Sequence, residues 1–313
     1  MGGKSTGKSA AAGHRGSMAL APARGRELRS RQLAGAAFVA VSAIGFGALG
    51  IFGKVAFAAG ASTATVLFLR FAVAGTLMAA LMTVLRLPWP RGRDLGILAA
   101  MGAVGYVGQA YCYFSSLRHA SAGLTALLLY LYPALVTLAS AVLGRQRLTP
   151  LKTAAVVTSL AGIALTVADG LAGTPTGIAF GAGAAVIYTG YILVGERVTR
   201  RTGAIPAATV IMLAAAAVYG GALTWEGARW PSDAAGWGAV AAIALFSTVV
   251  AMVGFFAGME RLGAADAATL STLEPVVTLA LAAALLGESM GPLQLAGAAM
   301  VLGAVVALAR AER

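Results

Sequence analysis

Cysteine is almost missing from this chain. Cys112 is the only one among 313 residues, so no intrachain disulfide and no cysteine-based zinc cluster can form. Histidine is as scarce: His14 and His119 are the only two. A metal site would therefore need an unusually carboxylate-rich cluster, and none is visible. Charge is thin, at 11% Asp, Glu, Lys and Arg against about 25% in an average soluble domain. No nucleophile–base cluster stands out, which argues against an integral-membrane enzyme. Long polar loops are lacking too, which argues against a receptor or a scaffold with soluble parts.

What remains is apolar. Hydrophobic residues make up 59% of the chain, and runs of about 20 of them, the length a bilayer requires, recur from Leu33 to Ala309. The sequence predicts an all-α integral membrane protein with transmembrane helices over 33–53, 63–85, 95–116, 121–143, 150–168, 176–195, 207–225, 236–259, 266–286 and 292–309. The breaks are short and carry Pro, Gly or charge, as in Pro88-Trp89-Pro90-Arg91, Thr149-Pro150 and Gly291-Pro292. Trp89, Trp225, Trp230 and Trp237 all fall at predicted helix ends, where indole rings prefer the membrane interface.

The net charge of +12 does not imply nucleic acid, because the cations are placed by topology rather than along a soluble face. Seven lie before the first apolar run (Lys4, Lys8, Arg15, Arg24, Arg26, Arg29, Arg31). Arg86, Arg91, Arg93, Arg145, Arg147, Lys152, Arg197, Arg200, Arg201, Arg261, Arg310 and Arg313 fall in alternate connections and at the C-terminus. With both termini in the cytoplasm, these put 19 of the 23 cations inside, leaving Lys54, Arg118 and Arg229 outside and Arg70 within the membrane. The positive-inside bias fits an even number of spans. A cleavable leader with Arg24–Arg31 as its basic region and Ala56-Phe57-Ala58 as its cleavage site would leave nine spans and spoil that pattern.

Residues 1–32 read as a disordered basic cytoplasmic tail. Gly2-Gly3-Lys4-Ser5-Thr6-Gly7-Lys8-Ser9 within it matches a phosphate-binding loop letter for letter, yet no strand precedes it to aim its amides. Neither nucleotide binding nor any cofactor is expected.

The remainder repeats. Tyr132-Pro133 in the fourth span corresponds to Glu274-Pro275 in the ninth, Gln146 to Glu288, and Pro150 to Pro292 at one constant offset. Arg118 and Arg261 match with one residue of slippage. The predicted repeats, 33–168 and 176–309, hold five spans each. An odd number forces duplicated halves into opposite orientations, so the expected architecture is ten transmembrane helices as two inverted five-helix repeats. Secondary transporters are commonly built this way, with the substrate site near the midplane.

Several stretches of 34–309 carry a family likeness. They are Leu69-Arg70-Phe71, Ser116-Leu117-Arg118-His119-Ala120-Ser121-Ala122, Met259-Glu260-Arg261-Leu262-Gly263-Ala264-Ala265, and above all Leu273-Glu274-Pro275-Val276-Val277 through Leu285-Leu286-Gly287-Glu288. With the length and the five-plus-five plan, they make the chain similar to the EamA-type branch of the drug/metabolite transporter superfamily. The first repeat departs from the pattern, with Arg145-Gln146 where the family often has Gly-Glu. The resemblance implies secondary transport of small metabolites, often export, across the plasma membrane.

Glu274 is the sharpest site candidate, because an ionisable side chain in mid-membrane costs roughly 3 kcal/mol or more. Pro275 after it removes a backbone hydrogen bond, and Pro133 and Pro275 both read as helix breaks. Glu274 is read either as a proton-coupling group or as a carboxylate paired for helix packing. Arg70 is the other deep charge. At 1.5 Å per residue it lies about 10 Å from the outer end of its span and Glu274 about 18 Å from the same side, so an ion pair between them would be strained. Such a pair would also hold the carboxylate charged and argue against coupling. Tyr106, Gln109 and Tyr113 fall on one helical face, as do Ser271, Glu274 and Thr278, and Tyr188 with Tyr191. These stripes fit either a solute cavity or interhelical glue. Gly254 with Gly258, and Ala299, Gly303 and Ala307, read as close helix packing. The expected partners are a small-molecule substrate and lipid, with no nucleic acid, in a monomer or a homodimer.

Overall fold

The computed structural model of the chain describes residues 2, 17–168 and 173–311, with backbone alone for 17–29, 264 and 265. The phosphate-loop lookalike, Gly2 apart, lies outside the described residues. Ten helical stretches among the described residues are long and apolar enough to cross a bilayer: Ser30–Ala58, Thr63–Val84, Gly92–His119, Ala122–Val142, Pro150–Ala168, Pro175–Thr202, Ala204–Glu226, Ala234–Leu262, Asp266–Leu286 and Pro292–Ala311. They coincide with the predicted spans, and several run longer. The sixth reaches Thr202 because Glu196-Arg197-Val198-Thr199-Arg200-Arg201 continues the helix beyond the apolar stretch.

Part of the stretch read as a tail has a helical backbone. Residues 17–32 are helical, as part of a helix over Ser17–Gly47. The stretch mixes Ala, Leu, Arg, Glu and Gln, all strong helix formers, and continues in register into the first span.

Local chemistry sets the ends. At one end of the bundle four spans begin with a polar residue whose side chain accepts a hydrogen bond from the first turn: Ser62 from Thr65 N (3.2 Å), Ser121 from Leu124 N (3.0 Å), Thr174 from Gly177 N (3.2 Å) and Asp233 from Gly236 N (2.8 Å). Each satisfies an amide that the helix leaves open. At the opposite end of the bundle the turns tighten to a single glycine. Gly203 (φ 85°) and Gly263 (φ 87°) each join two helices in a left-handed backbone conformation that a Cβ disfavours.

The duplication is visible in backbone irregularities. A π-helical segment interrupts the third span at Met101–Tyr106, and another interrupts the eighth at Leu245–Val250. The fourth span splits into Ala122–Leu129 and Tyr132–Val142, and the ninth into Ala264–Ser271 and Leu273–Leu286. Packing follows the same symmetry. The first span packs on the eighth and, as its image, the third on the sixth, while the second packs on the seventh and the fifth on the tenth. Pro133 and Pro275, read as helix breaks, stand beside these two divisions. Each sits in the first turn of the second segment of a broken span, where a missing N–H costs nothing.

Glycine contacts correct one further expectation. Gly254 and Gly258 do pack closely, against Phe38 O and Gly35 O of the first span. The Ala299–Gly303 face instead points outward, and a Cβ on Gly303 would meet nothing. The tenth span makes its close contact one face round, at Gly297 against Gly162 of the fifth.

Candidate functional site

A cavity of about 500 Å³ lies between the two repeats, within the range of small-molecule sites. Its wall includes Arg70, Tyr106, Gln109, Tyr113, Tyr188, Tyr191, Ser271, Glu274 and Thr278, with Pro133 and Pro275. Every side chain singled out in the sequence thus meets in one space. The wall also reaches Thr199, Ala204 and Ala309, at the ends of their spans, so the cavity extends to the end of the bundle where Gly203 and Gly263 make their turns.

Aromatic rings form a continuous arc that starts behind the wall, at Tyr219 and Phe71, and then runs along it. Tyr219 stacks on Phe71 at 5.9 Å between ring centroids, and Phe71 meets Tyr106 at 5.2 Å. Tyr106 stacks on Tyr191 at 5.6 Å, and Tyr191 on Tyr188 at 5.7 Å. Tyr188 then meets Tyr132 edge-on at 4.9 Å, and Tyr132 meets Tyr130 at 6.0 Å. Each such contact contributes about 0.5–1.5 kcal/mol beyond area burial and holds its ring in place. Six of the eight tyrosines line the cavity.

The two deep charges stand at opposite ends of this arc. The Arg70 guanidinium lies over the Phe71 ring at 5.0 Å and near Phe114 at 5.8 Å. Its Nε donates to Thr248 Oγ1 at 3.0 Å, and that hydroxyl donates in turn to Ile243 O at 2.8 Å. The wide turn of the π-helical segment brings Thr248 to this position. Glu274, half-buried, lies beside the Tyr130 hydroxyl, which donates to Ser271 O at 2.9 Å. Glu288 is ion-paired with Lys54, and Asp94 with Arg201. Arg70 and Glu274 do not pair, as the difference in depth suggested.

Some predicted residues are spent on structure. Thr278 donates to Gly47 O at 2.8 Å, where the first span passes from the helix Ser17–Gly47 to the helix Leu49–Ala58, and Ser271 Oγ donates to Ala267 O at 3.0 Å. Tyr130, Tyr132, Thr248, Phe255 and Phe256 were not singled out from the sequence. Tyr132 carried a usable signal, since it occupies the repeat position of Glu274.

A ten-span helical protein with a polar-tipped aromatic cavity between two repeats has the design of a membrane transporter. The model of the EamA-like transporter family matches residues 33–168 and 175–310, and the chain belongs to that family. It is 30% identical to the aromatic amino acid exporter YddG of Ancylobacter novellus, over 86% of this chain and 97% of that protein. It is 28% identical to the uncharacterized transporter YcbK of Bacillus subtilis, over 84% of this chain and 89% of that protein. A solved crystal structure superposes with a TM-score of 0.63 at 24% identity, covering 91% of this chain and 99% of the other, which supports the fold.

Proposed function

We propose that this protein exports small aromatic or amphiphilic solutes, aromatic amino acids among them, across the bacterial inner membrane. Both termini are cytoplasmic in this reading, as the distribution of Lys and Arg favours. The observation that carries the proposal is the arc of tyrosines around a 500 Å³ space that reaches the cation-rich end of the bundle. Flat faces and ring edges attract aromatic solutes, while the apolar remainder of the wall accepts aliphatic parts. The aromatic amino acid exporter among the relatives supports the same class of solute.

Transport proceeds by alternating access, the two repeats rocking about a site that both of them build. Glu274 is the proton-coupling group. It is the carboxylate on the cavity wall, it lacks a cationic partner among the described residues, and its contact is a neutral hydroxyl. A group so placed can take up and release a proton without breaking an ion pair.

The test is uptake of radiolabelled phenylalanine into proteoliposomes with and without an imposed pH gradient, alongside Glu274→Gln. Gradient-driven accumulation that Glu274→Gln abolishes, while unlabelled phenylalanine still exchanges for labelled, is the expected result. Accumulation that survives the substitution would remove Glu274 from coupling. No flux of any aromatic solute would overturn the proposal as a whole.

A further inference from the structure

The Arg70 side chain is 4% exposed, deep in the second span, and lies on the cavity wall. A cation in such a place ordinarily has a carboxylate beside it, because an uncompensated buried charge is costly. Here it has none among the described residues. Only Nε is hydrogen-bonded, to Thr248, and the two terminal amino groups donate to no protein acceptor there. Thr248 and the Phe71 and Phe114 rings fix the plane of the guanidinium, so these two donors have a set direction.

Two more polar groups border the same cavity. Gln109 is 8% exposed and Tyr113 5%; both line the cavity, and neither side chain has a hydrogen-bond partner among the described residues. They lie one turn apart on the helix that also carries Phe114, and Tyr113 is close enough to Arg70 to feel its charge. Polar groups that open onto a cavity without a protein partner leave donors for what enters it, and these three border the same space.

We infer that Arg70, assisted by Gln109 and Tyr113, binds the carboxylate of the transported solute while its ring rests on the tyrosine arc. A planar guanidinium with two parallel N–H donors matches a carboxylate, which is two oxygens wide. The inference rests on the proposed transport of aromatic solutes and adds the acidic end of the molecule to it. An aromatic acid or amino acid is then preferred to an aromatic amine of equal size.

The experiment is calorimetric titration of the full-length protein in detergent with two probes that share a phenyl ring, 3-phenylpropionate and 2-phenylethylamine. Arg70→Gln is expected to weaken 3-phenylpropionate at least about 30-fold, and Arg70→Lys, which keeps the charge but loses the fork, about 10-fold. The amine is expected to change less than about twofold in both, since it makes no bond to the guanidinium. Thr248→Val keeps the charge and only frees its orientation; a loss of about 3-fold or more for the acid alone is expected, and this variant carries the test if Arg70→Gln does not fold. If both probes bind and the substitutions change neither, or both equally, Arg70 is structural and this inference falls while the aromatic cavity stands. If chloride displaces nothing but binds through Arg70 by itself, the site belongs to inorganic anions and the inference is overturned. Failure of both probes to bind the unmodified protein overturns the reading of the cavity and this inference with it.

Discussion

Glu288 Oε1 lies 3.5 Å from Lys54 Nζ, and the same carboxylate accepts hydrogen bonds from the backbone of Ala122 at 2.9 Å and Gly123 at 3.3 Å. One residue of the second repeat thus caps a helix of the first and ties it to the first span. The contact sits at the end of the bundle opposite the cavity mouth. Its repeat partner, Gln146, does something different: its amide donates to Thr137 O at 3.0 Å and accepts from Lys152 Nζ at 2.7 Å. The asymmetry fits a molecule latched at one end and open at the other. Charge-assisted bonds to a helix terminus are worth about 1.5–3 kcal/mol. Glu288→Gln should therefore release the latched end. The measurement is labelling of Ser116→Cys, buried near that end, by an impermeant maleimide in a Cys112→Ser background. Labelling faster by about 5-fold or more is expected; equal rates would show that the contact does not gate access.

Tyr191 holds the middle of the aromatic arc, stacked on Tyr106 on one side and Tyr188 on the other. Its ring matters here and its hydroxyl does not, since no hydrogen bond to it is formed among the described residues. Tyr191→Phe should leave the KM for aromatic solutes within about twofold, while Tyr191→Ala, losing two ring contacts, should raise it about 10-fold or more. A hydroxyl-dependent site would show the reverse order, with Tyr191→Phe already impaired.

The spans and the duplication were legible in the sequence because apolar runs and prolines report on lipid and on helix breaks directly. Helical stripes also picked out Gln109, Tyr113, Tyr188 and Tyr191, which lie on regular α-helical turns, and Tyr106, which ends the π-helical segment just before such a turn. Tyr130, Tyr132 and Thr248 escaped because they lie where the turn is irregular. Tyr130 and Tyr132, two residues apart, would face different ways on a continuous helix, yet the break between Leu129 and Tyr132 lets both line the cavity. Thr248 reaches Arg70 from a π-helical turn, whose wider spacing no 3.6-residue pattern anticipates. The mispredicted packing face of the tenth span has a similar cause. In a helix rich in Ala and Gly, small-residue spacing fits more than one face, and only the partner helix selects among them.

That selection makes the glycines a direct test of packing. A Cβ at Gly258 would stand 2.9 Å from Gly35 O and press on Val39, and the backbones of the first and eighth spans meet there without a flexible side chain between them. At Gly303 a Cβ would meet nothing. Overpacking of a close helix contact costs about 1–3 kcal/mol, whereas Gly to Ala in an open helical position is neutral or gains up to about 1 kcal/mol. Gly258→Ala should therefore lower the melting temperature of the detergent-purified protein by several degrees, and Gly303→Ala should leave it unchanged or raise it slightly. The substitutions are chemically identical and both lie inside helices, so helix propensity cannot separate them. Equal melting temperatures for the two variants would mean that the first and eighth spans do not approach as closely as described. A loss at Gly303 alone would mean that this outward face is covered, by a second copy of the chain or by another protein, in the detergent-solubilised particle.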